Sequence, residues 1–192
     1  MSQTSPKLGR WSRFCGWLLR RLGWTAVEPM PEEPKCIMLG VPHTSIWDFA
    51  ISYLYYKSLG GSALFMVKKG MFVPPLSWLL RALGAVPVDR ENPTQLIHSI
   101  VNQMNTREVF HLALAPEGTR KPIRRWKTGY HLIARAAGVP VYLGYFDWKT
   151  KRIGRGQKVE LTDDAAADTR RIQEIYEQMH LTAKFPENYL TH

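Results

Sequence analysis

Apolar residues come in short runs divided by glycine, proline and charged clusters, and the runs switch between the periods that suit strands and helices. Lys35 to Val41 reads as a buried strand, and Ser45 to Leu59 as a helix rich in aromatics, ended by Gly60, Gly61 and Ser62. Ala63 to Val67 is another apolar strand. Leu76 to Leu83 is a short helix closed by Gly84, and Ala85 to Val88 a short strand. Pro93 to Asn105 predicts a helix, Val109 to Ala115 a strand, Trp126 to Ala137 a helix ended by Gly138, and Val139 to Phe146 a strand. Thr150 to Leu161 alternates basic and apolar positions, which predicts an edge hairpin. Thr162 and two aspartates signal the start of a final amphipathic helix over Asp164 to Ala183. The alternation predicts the α/β class: a single α/β sandwich domain with a largely parallel or mixed central sheet.

Ahead of this domain the pattern changes. Met1 to Lys7 is polar and expected to fray. From Gly9 to Trp24, Trp11, Phe14, Cys15, Leu18 and Leu22 recur at helical spacing, with Arg10, Arg13, Trp17, Arg20 and Arg21 largely opposite. The prediction is an N-terminal basic amphipathic helix. Glu28 to Pro34, rich in proline and glutamate, reads as a linker, so the chain divides into 1–34 and 35–192. Such a helix suits the headgroup layer of a membrane, or it packs on the domain with its arginines solvated. Met71, Phe72, Trp78, Leu79 and Leu80, beside Lys68, Lys69 and Arg81, exceed what one buried face needs. They predict a second membrane or acyl-chain contact, with plain core packing as the alternative.

A length of 192 residues suits one domain with a sizeable core. The formal net charge of +10 implies anionic company: a lipid surface, phosphate groups, coenzyme A, an acidic carrier protein or nucleic acid. No recognition motif of the nucleic-acid binders is present, so that partner is not expected. Cys15 and Cys36 have neither metal-ligand spacing nor the pattern of a disulfide scaffold, which fits a reducing cytosolic setting. No apolar run reaches the roughly 18 to 20 residues of a membrane span, and the N-terminus lacks a secretory leader. The expected setting is cytoplasmic, peripheral on the inner face of the membrane.

The candidate chemistry begins at Val41-Pro42-His43-Thr44-Ser45-Ile46-Trp47-Asp48-Phe49. Residues five apart on a regular helix lie roughly 140° apart around the axis, so His43 and Asp48 do not share a helix face. They meet if Pro42-His43 turns after a strand, Thr44 or Ser45 caps the next helix, and Asp48 points back from its first turns. An imidazole held by a carboxylate then keeps its other nitrogen free to take a proton from a hydroxyl. The plain alternative is a loop histidine and an acid favoured by the helix dipole.

A second block, Ala115-Pro116-Glu117-Gly118-Thr119-Arg120, again ends an apolar run, and a third is Gly84-Ala85-Val86-Pro87-Val88-Asp89-Arg90. In order and spacing the three resemble the first motifs of the PlsC-like glycerolipid acyltransferases. His43 and Asp48 match HX4D; Glu117, Gly118, Thr119 and Arg120 match EGTR; Gly84 and Arg90 match the glycine-to-arginine motif. The resemblance implies acyl transfer from acyl-CoA or acyl carrier protein to a hydroxyl of a glycerolipid-like acceptor, by default lysophosphatidate. His43 is then the base and Asp48 its orienter. The EGTR residues bind the acceptor, with Glu117 making polar contacts, and Arg90 and Arg120 taking its phosphate. No G-x-S-x-G elbow occurs, so Ser45 is a cap rather than a nucleophile. No metal and no tightly bound cofactor is expected; the thioester is a co-substrate.

Lys121, Arg124, Arg125 and Lys127 form a basic cluster suited to coenzyme A phosphates, an acidic carrier or lipid headgroups, or else a solvated face. His111 and His131, within apolar patterns, read as structural. The sequence departs from the family pattern in three places. Lys121 stands where serine often follows EGTR, Pro42 where asparagine often precedes the histidine, and Val139-Pro140-Val141-Tyr142-Leu143-Gly144 lacks a second proline. These departures leave open a non-phosphate acceptor, such as a lyso-aminolipid or another membrane alcohol. A non-catalytic anionic-lipid-binding module is the alternative from a different class.

Overall fold

A computed structural model of the chain describes residues 8–89 and 92–190. In chain order the first elements are α1 (Arg10–Arg21), β1 (Thr25–Ala26), β2 (Lys35–Leu39), α2 (Ile46–Ser58), β3 (Ala63–Lys68), α3 (Leu76–Leu83) and β4 (Ala85–Val88). Then follow α4 (Pro93–Thr106), β5 (Phe110–Leu114), α5 (Gly129–Ala137), β6 (Val141–Tyr142), β7 (Tyr145–Asp147), β8 (Arg152–Gly154), β9 (Lys158–Val159) and α6 (Ala165–Gln178). A six-stranded sheet runs β4-β3-β5-β2-β6-β9, parallel except for the edge pair β6 and β9. A second sheet runs β1-β8-β7. The α/β class and the mixed sheet are as the sequence predicts.

Strand β2 shows why a continuous apolar run suits the centre of such a sheet. Its side chains alternate between two cores. Ile37 and Leu39 join Ile100, Phe110, Leu112, Tyr130, Ile133 and Tyr176 on the side of α4, α5 and α6. Cys36 and Met38 join Leu19, Ile51, Tyr55 and Phe146 on the side of α1 and α2. With both faces covered, no polar alternation is needed.

Three local differences have physical causes. The expected strand Val139 to Phe146 is two strands, because the chain leaves the large sheet after β6 and enters the small one at β7. At the crossing, Gly144 passes so close to β2 that an added Cβ would lie 2.4 Å from the Leu39 carbonyl oxygen. The expected hairpin over Thr150 to Leu161 is not one: β8 pairs with β1 and β7, whereas β9 pairs with β6. Between them Gly156 takes a left-handed φ of 61°, which L-residues with a Cβ adopt reluctantly. The last helix stops at Gln178, and His180 turns left-handed at φ 49°, so the chain beyond runs back across the domain.

Helix α1 meets the domain through a face rotated from the expected one. Cys15, Gly16 and Leu19 are buried against α2, where small side chains let the helices approach. An added Cβ at Gly16 would already touch Ser58 at 3.4 Å. Trp11, Phe14, Trp17 and Leu22 are left exposed, with Phe14 stacked between the two tryptophan rings. Residues 28–34 are tied to both sheets: Tyr55 Oη donates to the Glu28 carbonyl at 2.8 Å, Tyr145 Oη to the Glu28 carboxylate, and Lys158 Nζ to the Glu33 carboxylate at 2.9 Å. Met71, Val73, Leu76, Trp78 and Leu79, around α3 and the 3₁₀ turn Lys69–Met71, are exposed as well. Among the described residues no helix is long and apolar enough to cross a membrane.

Candidate active site

The register of β2 and β5 creates the site. The two strands are parallel, with Leu39 opposite Leu114, so the turn carrying His43 and the turn carrying Glu117 leave the same edge of the sheet side by side. This carboxyl edge is where open α/β sheets place ligands. Strand β4 ends at the same edge with Val88, but Arg90 lies outside the described residues.

Ser45 is the N-cap of α2: its Oγ accepts from Trp47 N at 3.1 Å. Asp48 Oδ2 reaches back to accept from Ser45 N at 2.7 Å and Thr44 N at 2.8 Å, completing a capping box. The same oxygen lies 3.6 Å from His43 Nδ1. The cap therefore brings together two residues that a regular helix would hold apart. A movement of roughly half an ångström would turn the contact into a hydrogen bond, a closure common when substrate enters.

Electrostatics sets the protonation states. Burial, and secondarily the Arg120 guanidinium, lower the His43 pKa to about 4, so the ring is neutral and ready to accept a proton at neutral pH. Burial raises Asp48, opposed by N–H donors from Ser45, Trp148 and Thr44 and by the Lys184 charge. Among the described residues His43 Nε2 has no hydrogen-bond partner, and the side chain is 28% exposed.

Glu117 is 4% exposed, and both of its carboxylate oxygens face His43 N, at 3.0 and 3.1 Å. It fixes the backbone of the histidine turn. Burial, with Asp48 adding repulsion, pushes its pKa up to about 8. Gly118 has φ 66°, and an added Cβ would lie 2.8 Å from the Lys127 side chain. Thr119 Oγ1 accepts from Lys121 N at 3.2 Å. Arg120, Lys121, Arg124, Arg125 and Lys127 are exposed on the rim. His111 and His131 lie elsewhere, buried and bonded to the Glu33 carbonyl and to Asp168. Among the described residues no group of three or more His, Cys, Asp or Glu is placed to hold a metal ion.

A carboxyl that keeps its proton more tightly when folded adds stability below its ordinary value of 4.5, and that stability is lost as pH rises through about 8. The effect of His43 falls at lower pH, between about 4 and 6.5. Glu117→Gln keeps an acceptor for His43 N and has no charge to bury. Its melting temperature is expected to stay level between about pH 6.5 and 8, where that of the natural chain falls, as calorimetry at several pH values will check. Glu117→Ala leaves the amide without an acceptor and should cost about 1–3 kcal/mol.

The model of the family described as Acyltransferase matches residues 24–142, more than half of the chain. The chain belongs to the acyltransferase family. A 1-acyl-sn-glycerol-3-phosphate acyltransferase of Streptococcus pneumoniae is 29% identical over 115 residues, which cover 59% of this chain. The match spans 42% of that relative's length. The crystal structure of the 1-acyl-sn-glycerophosphate (LPA) acyltransferase PlsC from Thermotoga maritima superposes with a TM-score of 0.59 at 17% identity, covering 90% of this chain and 80% of that one. At that identity the likeness speaks for the fold. The PlsC-like resemblance in the sequence thus agrees with both family and architecture.

At this edge of the sheet the structure brings His43, Asp48, Glu117 and Arg120 together. Sequence reasoning missed two partners. The bond from Glu117 to the histidine backbone follows from a register that no motif spacing reveals. Trp148, whose indole N–H donates to Asp48 Oδ1 at 2.8 Å, lies 100 residues from its partner and past the matched region.

Proposed function

We propose that the chain transfers a fatty acyl group from a thioester, acyl-CoA or acyl carrier protein, to a hydroxyl of a glycerolipid-like acceptor, with lysophosphatidate as the default. The observation that carries this reading is a neutral imidazole 3.6 Å from a buried carboxylate, with Arg120 beside it at the carboxyl edge of the sheet. In this reading His43 Nε2 takes the hydroxyl proton as the oxygen attacks the thioester carbonyl. Asp48 orients the ring and stabilises the imidazolium. The tetrahedral intermediate collapses with loss of the thiolate, which recovers the proton from His43, so no acyl-enzyme is needed. Arg120, and Arg90 with it, takes the acceptor phosphate; Lys121, Arg124 and Arg125 serve the donor or the headgroups. Glu117, Gly118 and Thr119 shape the acceptor turn.

The exposed Trp11, Phe14 and Trp17, among the arginines of α1, support approach to an anionic membrane on its cytoplasmic face. Pro42, buried directly before His43, and the exposed Lys121 after Arg120 depart from the family pattern and favour a second reading with a non-phosphate acceptor such as a lyso-aminolipid.

The test offers the purified chain labelled acyl-CoA or acyl carrier protein with a panel of acceptors, products being identified by mass spectrometry. Acylated lysophosphatidate is expected. Arg120→Met should raise KM for a phosphate-bearing acceptor about 10- to 100-fold. Use of alcohols without phosphate only would replace the first reading by the second, and no transfer to any acceptor would leave the lipid-binding module.

A further inference from the structure

We propose that Trp148 is a positioning residue for the His43–Asp48 pair, held in place by the chain segment that follows α6. This rests on the proposed acyl transfer and adds a residue to it that lies outside the acyltransferase motifs.

Asp48 is 1% exposed, and each of its oxygens has a separate task. Oδ2 accepts from Thr44 N and Ser45 N and faces His43 Nδ1, while Oδ1 accepts from Trp148 Nε1 at 2.8 Å. Loss of the indole donor would leave Oδ1 buried without a partner. The carboxyl group then gains by rotating or by taking a proton, and either change alters what Oδ2 presents to the ring. An indole N–H donates and does not titrate, so Trp148 acts on orientation and on the ionised form of Asp48 rather than by moving a proton itself. The charged or titratable groups around Asp48 are His43, Glu117 and Lys184.

The indole is gripped from several segments. Trp24, just after α1, meets it edge-on, with ring centroids 4.9 Å apart at 89°. Lys184 Nζ sits 4.3 Å from the centre of the Trp148 ring. Trp148 N donates to the Thr182 carbonyl at 2.9 Å. One residue beyond Lys184, Phe185 N donates to Thr44 Oγ1 at 3.2 Å, so the segment also touches the histidine turn directly. Thr182 to Phe185 thus joins the indole to the loop that carries His43.

Trp148→Phe keeps an aromatic ring for the edge-on contact with Trp24 and removes the indole N–H together with its five-membered ring. The expected result is a kcat about 10- to 100-fold lower with KM for donor and acceptor within about two-fold. The acidic limb of the kcat profile should move to higher pH, because the active pair of neutral His43 and ionised Asp48 takes its first proton more readily once Asp48 loses a group that favours its charge. Unchanged kcat, or a loss in proportion to a lower melting temperature with an unmoved pH profile, overturns the proposal. Absence of transfer by the natural chain would instead remove the reading on which it rests. Should the variant not fold, the natural chain's ¹⁵N-indole spectrum decides. One of the signals from its seven tryptophans must move along the acidic limb of activity, and seven signals invariant there overturn the proposal.

Discussion

His43→Ala is expected to lower acyl transfer by about a hundred- to ten-thousand-fold while the chain folds and binds anionic vesicles as before. The loss should fall on kcat, since the imidazole acts on a proton that moves only in the transition state. Stability should change little at neutral pH, because the side chain is neutral there and makes no hydrogen bond through Nε2 among the described residues. In the natural chain the acidic limb of kcat/KM should have its midpoint near pH 4, where the base gains its proton, and not near the usual 6.5. Turnover by the alanine variant at the natural rate would sink the assignment of His43 as base. A stopped-time assay with labelled thioester, run beside a vesicle-flotation assay, separates catalysis from membrane contact.

Asp48→Asn should lower kcat by about a thousand-fold and also destabilise the fold by about 1–3 kcal/mol. The reason is a count of donors. The carboxylate accepts three N–H groups, from Thr44 and Ser45 on one oxygen and from Trp148 on the other. An asparagine has one acceptor oxygen and an NH₂ group that must face a donor whichever way it turns. If the amide nitrogen points at Thr44 and Ser45, the helix cap is lost; if it points at Trp148, the indole N–H is left without a partner. Either arrangement also withdraws the negative charge that would stabilise an imidazolium. Equal losses of activity from Asp48→Asn and Asp48→Ala, together with an unaltered melting temperature in both, would show that the carboxylate holds neither helix nor ring.

Much of this site was legible in the residue order. The His43/Asp48 spacing, with Ser45 between them, already requires a turn and a cap, and the capping box supplies both. Glycine at 84 and 138 marks two helix ends, and both residues take left-handed conformations there. What spacing does not disclose is lateral pairing. Glu117 meets the histidine turn because β5 lies beside β2 in one register. Trp148 meets Asp48 because the chain changes sheets at Gly144. The rotated face of α1 has a similar origin: periodicity marks where apolar side chains recur, but Gly16 and Cys15 decide how close a neighbouring helix comes. Trp126, expected inside a helix, is instead a loop side chain anchored in the core against Tyr176, with ring centroids 5.6 Å apart. A large apolar residue before a helix and one within it look alike in a hydropathy pattern.

The double service of Asp48 limits how this scaffold can be re-engineered. The acid that begins α2 is also the neighbour of the imidazole, so inserting or deleting a residue between positions 43 and 48 shifts helix and chemistry together. A designer wishing to admit a bulkier acceptor has more freedom at the exposed ammonium side chain of residue 121, whereas the guanidinium of residue 120 also acts on the His43 ring.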